Sequence, residues 1–251
     1  MGTSQSSSGP QGGSPLVPPW ADDQPQQPLP LPLPARFKPF RQSLGGFVAS
    51  GDRSKLESAI GHYARKASGG SVIAARRMGS ITNAGGHLYD VLRTTRGSVF
   101  GEVAINLNDL AGKPCEQAIS SIIQALTPAD GDAEKIRSAM NHALVEALDE
   151  VEIFNPESIT DDVIVNIMIS YLSESIFLQI VMDGGKAWNK AETSTQAIYA
   201  EKELRELIKV IVDRHMAPKL SDNLRSITRE QMIQINRQTV IDVWAEWEVY
   251  Q

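Results

Sequence analysis

The feature that most constrains the fold of this chain is the helical spacing of apolar residues over its C-terminal half. From residue 113 onwards, apolar side chains recur at i, i+3, i+4 and i+7, the spacing that places them on one face of an α-helix. These stripes predict five long helices, over residues 113–126, 132–152, 160–182, 195–216 and from 228 onwards. Five such helices indicate an all-α bundle.

Helical spacing also runs upstream, where glycines interrupt it. Residues 52–67 predict a helix that ends at a Gly-Gly pair. Residues 71–96 predict two short helices or one kinked helix, because three glycine positions break the stretch. Residues 97–110 predict a loop and a short helix, and a short strand over 98–105 is the alternative.

The first forty residues have a different composition. Residues 1–39 contain ten of the fourteen prolines of the chain, and no Lys or Arg precedes Arg36. Gly, Ser and Gln make up much of the rest, so the segment has little apolar surface with which to offset its ordering entropy. The sequence therefore predicts a disordered Pro/Gly/Ser-rich N-terminal arm over residues 1–40, followed by an α-helical domain over residues 41–251.

The run PLPLPLP at residues 28–34 places a proline at every second position, which favours polyproline II. We expect a semi-rigid spacer that holds residues 1–10 away from the helical domain. The alternative is a docking strip for an aromatic groove of another protein.

Charge divides the helical domain into two parts. Residues 36–97 contain eleven Lys and Arg against three acids, a balance of +8, and residues 98–251 contain thirteen against twenty-five, a balance of −12. With the −2 of residues 1–35, these balances give the formal net charge of −6. We therefore distinguish a basic Gly/Arg-rich part, residues 41–97, from an acidic helical part, residues 98–251.

Several classes of protein are set aside by the sequence. The one cysteine, Cys115, cannot form an intrachain disulfide, and no secretory signal is present. Residues 163–182 approach the length of a membrane span, but Glu174 lies near their middle, where a charge in lipid is costly. We expect a central helix of a soluble bundle there, a cytoplasmic protein and no membrane partner.

No motif of a known catalytic or cofactor site occurs in the sequence, such as a Walker A loop, G-x-G-x-x-G, H-E-x-x-H or C-x-x-C. The four histidines are scattered, and none has a second His or Cys at the spacing of a metal site. Cys115 stands in the first turn of a predicted helix, where a thiol pKa can be lowered. We expect no catalytic residue, no metal, no cofactor and no enzymatic activity of this chain.

The basic part places arginines beside pairs of glycines, in the stretch GHYARKASGGSVIAARRMGSITNAGGHLYDVLRTTR at residues 61–96. Backbone N–H groups at the start of a helix can hold an anion, and guanidinium groups suit phosphate or carboxylate. The candidate residues of this anion- or partner-binding site are Gly69, Gly70, Arg76, Arg77, Gly85 and Gly86.

Three other interpretations of the basic part stay open. The glycines can serve close helix packing while the arginines stay hydrated. The partner can be an acidic surface, this chain's own acidic half included. Residues 53–96 can also bind nucleic acid, although only Tyr63 and Tyr89 are aromatic there and no known nucleic-acid-binding module occurs.

The first residues form the second candidate site. Removal of Met1 would leave Gly2 with a free α-amine, and MGTSQS also fits the myristoylation pattern M-G-x-x-x-[ST]. A single myristoyl chain anchors weakly without a second signal, and neither a basic cluster nor a cysteine lies near it. A tail without any role is the alternative.

These two stretches together resemble the QatB family, a component of the bacterial four-gene Qat anti-phage system. The resemblance is carried by MGTS at the start, by GHYARKASGGSVIAARRMG at residues 61–79 and by GG-x-LY at residues 85–89. It implies a non-enzymatic component that works with an ATPase, a QueC-like enzyme and a TatD-like nuclease.

The QueC-like partner implied by the resemblance suggests a role for the N-terminus. Enzymes of that type adenylate a deazaguanine carboxylate and pass it to ammonia, and the α-amine of Gly2 could stand in for ammonia. The hypothesis is that Gly2 receives a deazapurine-type amide, with Thr3 and Ser4 as recognition residues, while the helical domain docks the other components. A scaffold or adaptor unrelated to defence, or a nucleic-acid-binding module, is the alternative function.

Overall fold

The predicted helical bundle is present in the computed structural model, which describes residues 8–94, 98–100, 103–221 and 223–251. Within these ranges α-helices carry the fold, which confirms the all-α class. The helices are Lys38–Ser50 (α1), Arg53–His62 (α2), Ser71–Arg77 (α3), Gly79–Arg93 (α4), Cys115–Leu126 (α5), Ala133–Ala147 (α6), Asp161–Gly184 (α7), Ser194–Leu220 (α8) and Arg229–Glu248 (α9).

The starts of the long helices follow from their capping residues. The Thr160 side chain accepts a hydrogen bond from the N–H of Val163 at the start of α7. Thr193 and Thr228 each form a capping box with the glutamine three residues further on, at the starts of α8 and α9. The helix starts predicted at Thr160 and Thr228 are therefore confirmed.

Two segments differ from their predicted structure. Ser98–Phe100 (β1) and Val103–Ile105 (β2) pair as a short antiparallel hairpin, where a loop and a short helix are favoured by the sequence. The alternative strand was the better interpretation, because β-branched residues suit extended backbone. Helix α8 also continues through Pro218 instead of ending before it. The proline removes one i to i−4 hydrogen bond, but it lies in the last turn, so only two helical residues follow it.

Glycines interrupt the helices less than the sequence predicts. The break in residues 71–96 falls at Met78, between α3 and α4, so two helices form there. Helix α4 then runs through Gly85 and Gly86 without interruption, because both glycines lie where other elements cross it closely. Helix α1, which contains the Gly45 and Gly46 pair, is not predicted by the sequence, since two adjacent glycines lower helix propensity.

Helix α7 is the central helix of the bundle and packs against α4, α6 and α8. By length and composition alone, Asp161–Lys190 could span a membrane, but 78% of its most apolar 18-residue window is buried inside the protein. Its mid-helix charge, Glu174, is paired with Arg205 of α8, with 2.7 Å between Oε2 and Nε. The segment is therefore the core helix that the sequence predicts.

Helix α9 closes the other side of the core, across α3, α4 and α8. The rings of Tyr63, Trp244 and Trp247 stack in series there, with centroid distances of 6.1 Å and 4.9 Å. This aromatic cluster joins the C-terminal helix to the start of the basic part, so the two parts separated by charge share one core.

The N-terminal arm differs from the predicted extended tether. Residues 8–37 have neither helix nor strand, but Leu16, Val17 and Ala21 are buried against the helical domain. The composition of the arm cannot show this arrangement, because many of the groups that hold the arm belong to the domain. We call residues 8–36 the seated arm.

We expect Gly85→Ala to lower the free energy of unfolding by about 1–3 kcal/mol, the usual cost of overpacking a core. An added Cβ would lie 2.8 Å from both Cε1 of Tyr171 and Nδ2 of Asn236, which are fully buried. This cost exceeds the roughly 0.5–1 kcal/mol that alanine contributes over glycine in a helix. Urea denaturation followed by circular dichroism measures the change.

Gly46→Ala in α1 is the matched control for that substitution. Its added Cβ would meet only the flexible Lys55 side chain, with 3.1 Å to Cδ, so the gain in helix propensity is retained. Equal effects of the two substitutions would contradict the proposed crossing of α4 by α7 and α9.

Candidate functional site

The side chain of Arg76 binds the arm at four points. Its Nε and Nη2 donate to the two carboxylate oxygens of Asp22, at 3.0 Å and 2.8 Å, and Nη2 also donates to the carbonyls of Gln24 and Gln27, both at 2.9 Å. Arg76 is 3% exposed and Asp22 9% exposed at their side chains. Hydrogen bonding to Arg76 lowers the pKa of Asp22 below its usual value. A buried bidentate ion pair thus fixes the middle of the seated arm.

Two further arginines hold the remainder of the seated arm through its main chain. Nη2 of Arg36 donates to the carbonyls of Ser14 and Pro15, at 3.0 Å and 3.2 Å. Nη2 of Arg41, on α1, donates to the carbonyl of Pro10 at 2.6 Å. The arm therefore folds back on itself between Pro15 and Arg36, and its upstream end lies against α1.

Three glycines of the helical domain let the arm approach closely. A Cβ on Gly79 would lie 2.4 Å from the Ala21 carbonyl oxygen, and one on Gly131 would lie 2.4 Å from the Trp20 ring. Gly185 has a φ of +51°, and a Cβ there would lie 2.7 Å from the carbonyl oxygen of Ser8. Because any larger residue at these positions would displace the arm, its path depends on glycines of the domain as well as on ion pairs.

A buried chain of polar side chains begins beside Arg76. Arg77 donates to Asp132 at 2.9 Å, and Asp132 lies 2.6 Å from the ammonium of Lys135, which is 5% exposed. The Lys135 ammonium donates to the side chain of Gln179 on α7. This chain crosses the bundle from α3 to α7.

The polar chain continues to the upstream end of the arm. The Gln179 amide donates to Asp183 at 3.0 Å, and the Tyr63 hydroxyl donates to the same carboxylate oxygen at 2.7 Å. Nε of Arg41 donates to the Asp183 carbonyl at 2.9 Å while its Nη2 binds Pro10. The groups that hold Asp22 and Pro10 are therefore linked through the protein interior.

Three ionisable groups of this buried polar network have shifted pKa values, and the cause of each shift is identifiable. Burial acts to raise the pKa of Asp132, but the positive charges of Lys135 and Arg77 outweigh it, and the pKa is lowered. Burial lowers the pKa of Lys135, and Arg77 adds to this effect. Burial, followed by the charge of Asp183, raises the pKa of Tyr63 well above its usual value. Tyr63 therefore stays a hydrogen-bond donor at neutral pH.

The residues predicted to bind an anion contact acids and helices of the same chain. Arg76 binds Asp22, and Arg77 binds Asp132, as described above. The N–H of Ser71, which follows Gly69 and Gly70, donates to Oε1 of Glu248 at 2.9 Å. These contacts leave fewer cations of residues 53–96 available to a phosphate backbone.

The two glycine pairs have different roles. Gly69 and Gly70 have φ values of +87° and +92° and form the turn before α3. Gly85 and Gly86 lie at helix crossings, and a Cβ on Gly86 would be 2.3 Å from Cγ1 of Ile233. The two glycine pairs therefore lie in different settings, one in a turn and one at helix crossings.

The remaining candidates from the sequence are the N-terminal residues, the cysteine and a metal site. Gly2, Thr3 and Ser4 lie outside the described residues. Cys115 is buried at the start of α5, and burial raises the pKa of its thiol. In the part of the chain that the structure describes, no three His, Cys, Asp or Glu side chains are grouped so that they could hold a metal ion.

A basic groove of about 640 Å³ lies where the arm enters the bundle. Its floor is made by small residues of α1, including Gly45 and Gly46, and its rim carries four cations. The rim cations are Lys38, Arg41, Lys186 and Lys190. The groove therefore suits an acidic partner surface at the point where the described chain begins.

The residues that the sequence interpretation missed are Asp22, Arg36, Arg41 and Asp183. One signal was available, because Asp22 and Asp23 are the only charges before Arg36. Two isolated acids in an otherwise neutral arm, followed by a segment with a charge of +8, favour ion pairs between the arm and that segment. Asp22 contacts Arg76, and Asp23 is paired with Arg237 on α9.

A comparison with protein-family models finds one match, over residues 69–245, to the family described as "QatB: Qat anti-phage system associated protein". The matched residues include Arg76, Arg77 and the helices from α4 to most of α9, and they exclude the seated arm. No curated protein and no solved structure matches the chain.

We expect Arg76→Ala to release the seated arm. Breaking a buried ion pair costs about 3–5 kcal/mol, so amide hydrogen exchange over residues 20–27 should accelerate roughly 100-fold or more. Arg53→Ala, which removes a largely exposed arginine paired with Glu57, is the control and should leave that exchange unchanged. Unchanged protection in Arg76→Ala would contradict the role of this side chain.

We also expect the seated arm to loosen in acid. The pKa of Asp22 is lowered by folding, so its contribution is fully present above its unfolded pKa of about 3.9 and is lost as the pH falls through the folded value. The fluorine resonance of 5-fluorotryptophan at Trp20, which packs on Gly131, should shift between pH 6 and pH 3. Asp22→Asn should move the resonance to the released position already at pH 6.

Proposed function

The chain belongs to the QatB family of the Qat anti-phage system, and from this premise we propose that it is a non-catalytic component whose N-terminus is modified at Gly2 by a QueC-like partner. The family match carries the first part of the proposal, because it makes the chain a component of an anti-phage defence system with several partner components. The second part rests on the position of the arm and the chemistry of a free α-amine.

The contacts of the seated arm limit how far Gly2 can lie from the helical domain. Ser8 packs against Gly185, and Pro10 is bound by Arg41, so the chain is held at the end of α7. Ser8 is six positions after Gly2, and an extended chain covers at most about 3.6 Å per position, or roughly 22 Å in all. An enzyme that modifies Gly2 must therefore bring its reactive centre within that distance of Gly185.

The basic groove supplies a surface for such an enzyme. Lys186 and Lys190 are exposed beside Gly185, and Lys38 lies across the groove from them on α1. A partner with acidic residues around its active-site entrance would be steered to this groove and would then meet the N-terminus.

The proposed reaction is an acyl transfer. The α-amine of Gly2 attacks the carbonyl carbon of an adenylated deazaguanine carboxylate, the new amide bond forms, and AMP leaves with the electron pair of the broken C–O bond. The partner supplies ATP activation, and the amine loses a proton to solvent or to a base of the partner. Thr3 and Ser4 are proposed as the residues that the partner recognises.

The test is the intact mass of the N-terminal peptide from cells that express the whole gene neighbourhood, before and during infection. We expect an adduct on Gly2 in the wild-type chain and none on Gly2→Pro, whose α-amine is secondary and sterically hindered by its ring. Gly2→Ala keeps a primary amine and should retain the adduct. A plain Gly2 terminus under both conditions would contradict the modification.

A charge-reversal pair separates docking from chemistry in the same measurement. Lys186→Glu with Lys190→Glu should lower the modified fraction at least tenfold, because the rim would then carry two carboxylates beside Lys38 and Arg41 and would lose its net positive charge. Lys113→Glu with Lys202→Glu makes the same change in net charge at exposed positions outside the groove and should leave the fraction unchanged.

A further inference from the structure

The run PLPLPLP at residues 28–34, which we call the proline strip, is a largely exposed part of the seated arm. Leu31 is 90% exposed and Leu33 is 56% exposed. The strip has neither helix nor strand, and no hydrogen bond joins its backbone to another described residue. Leu31 and Leu33 therefore face solvent, and the strip's backbone carbonyls have no hydrogen-bond partner among the described residues.

Both ends of the proline strip are fixed to the protein. Immediately before it, the Gln27 carbonyl accepts a hydrogen bond from the buried Arg76 at 2.9 Å. Immediately after it, Ala35 takes a φ of +51° and turns the chain, and Arg36 is 4% exposed and bound to Ser14. The strip is thus held out as an exposed segment between two buried arginine contacts.

The proline strip differs from an isolated exposed leucine in its backbone restriction and in its fixed ends. Single exposed apolar residues are common on protein surfaces and need no function. Here the leucines alternate with prolines, which restrict the backbone to extended conformations, and the ends are immobilised as well. A partner would therefore lose little conformational entropy by binding the strip, which is the physical basis of recognition of proline-rich segments.

The chemistry of the strip defines its occupant. It carries no charge, so salt bridges cannot select a partner, and four of its seven residues have no N–H, so its backbone is mainly a hydrogen-bond acceptor. Aromatic rings pack on proline and leucine side chains, and the Trp N–H and Tyr O–H can donate to the free carbonyls. A groove lined by Trp or Tyr matches both properties.

We propose that the proline strip is a docking segment for an aromatic-lined groove on another protein component of the same anti-phage system. The proposal does not depend on modification of Gly2, since the strip lies downstream of both Arg41 and Arg76 contacts along the seated arm. A second copy of this chain is the competing occupant, and the experiment distinguishes the two.

The experiment uses the full chain with Leu33→p-benzoylphenylalanine, expressed with the other genes of its neighbourhood and irradiated in cells. Ile153→p-benzoylphenylalanine is the matched control, because Ile153 is also 56% exposed and lies outside the α-helices. We expect position 33 to cross-link one other component at least tenfold more than position 153 does, at a peptide that contains or adjoins Trp or Tyr.

Co-purification provides the second measurement. Leu31→Ser with Leu33→Ser should reduce retention of that component at least tenfold, whereas Ile153→Ser should change it less than twofold. Circular dichroism should be unchanged, because all three side chains are exposed and lie outside the helices.

Three results would overturn the proposal. They are cross-links from position 33 only to a second copy of this chain, cross-links no stronger than those from position 153, and full retention of every component by the double serine variant. The N-terminal mass from the same samples reports separately on Gly2, so failure of one proposal is distinguishable from failure of the other.

Discussion

The buried guanidinium of Arg76 is the contact on which the arrangement of the arm depends. Removing the charges of Arg76 and Asp22 from water is costly, and the cost is offset only when further hydrogen bonds satisfy the groups. The carbonyls of Gln24 and Gln27 supply those bonds. The geometry of the arm at residues 22–27 is therefore set by the hydrogen-bonding requirements of Arg76, which lies on the seven-residue helix α3.

The interior chain of polar side chains begins at Arg77, the neighbour of Arg76, and ends beside Arg41, which binds the upstream end of the arm at Pro10. Arg77, Asp132 and Lys135 lead through Gln179 to Asp183, whose carbonyl is bound by Arg41. Each member orients the next, so removal of one would leave a buried polar group unsatisfied in its neighbour. The contacts that hold the middle and the upstream end of the seated arm are consequently connected, although the arginines that make them lie on different helices.

Much of the bundle could be predicted from the sequence, and the arm could not. The capping residues Thr160 and Thr228 and the apolar stripes act locally, so their helices are visible in the residues themselves. The path of α4 through Gly85 depends on Tyr171 and Asn236, which lie far away in the sequence. The position of the arm likewise depends on Gly79, Gly131 and Gly185, whose role appears only when the arm lies against them. Among the site residues, Arg76 and Arg77 were identified as anion-binding candidates, but their anions lie within the chain.

The helical domain recognises the arm largely through its main chain. Arg36 of the arm and Arg41 and Arg76 of the domain bind carbonyls of Ser14, Pro15, Pro10, Gln24 and Gln27, and the side chains of Asp22 and Asp23 pair with Arg76 and Arg237. A carbonyl is present whatever the side chain, so the hydrogen bonds at Ser14, Gln24 and Gln27 persist when those side chains are replaced. Substitutions at these arm positions would therefore understate how firmly the segment is held, whereas substitutions of Arg76 and Arg41 would reveal it.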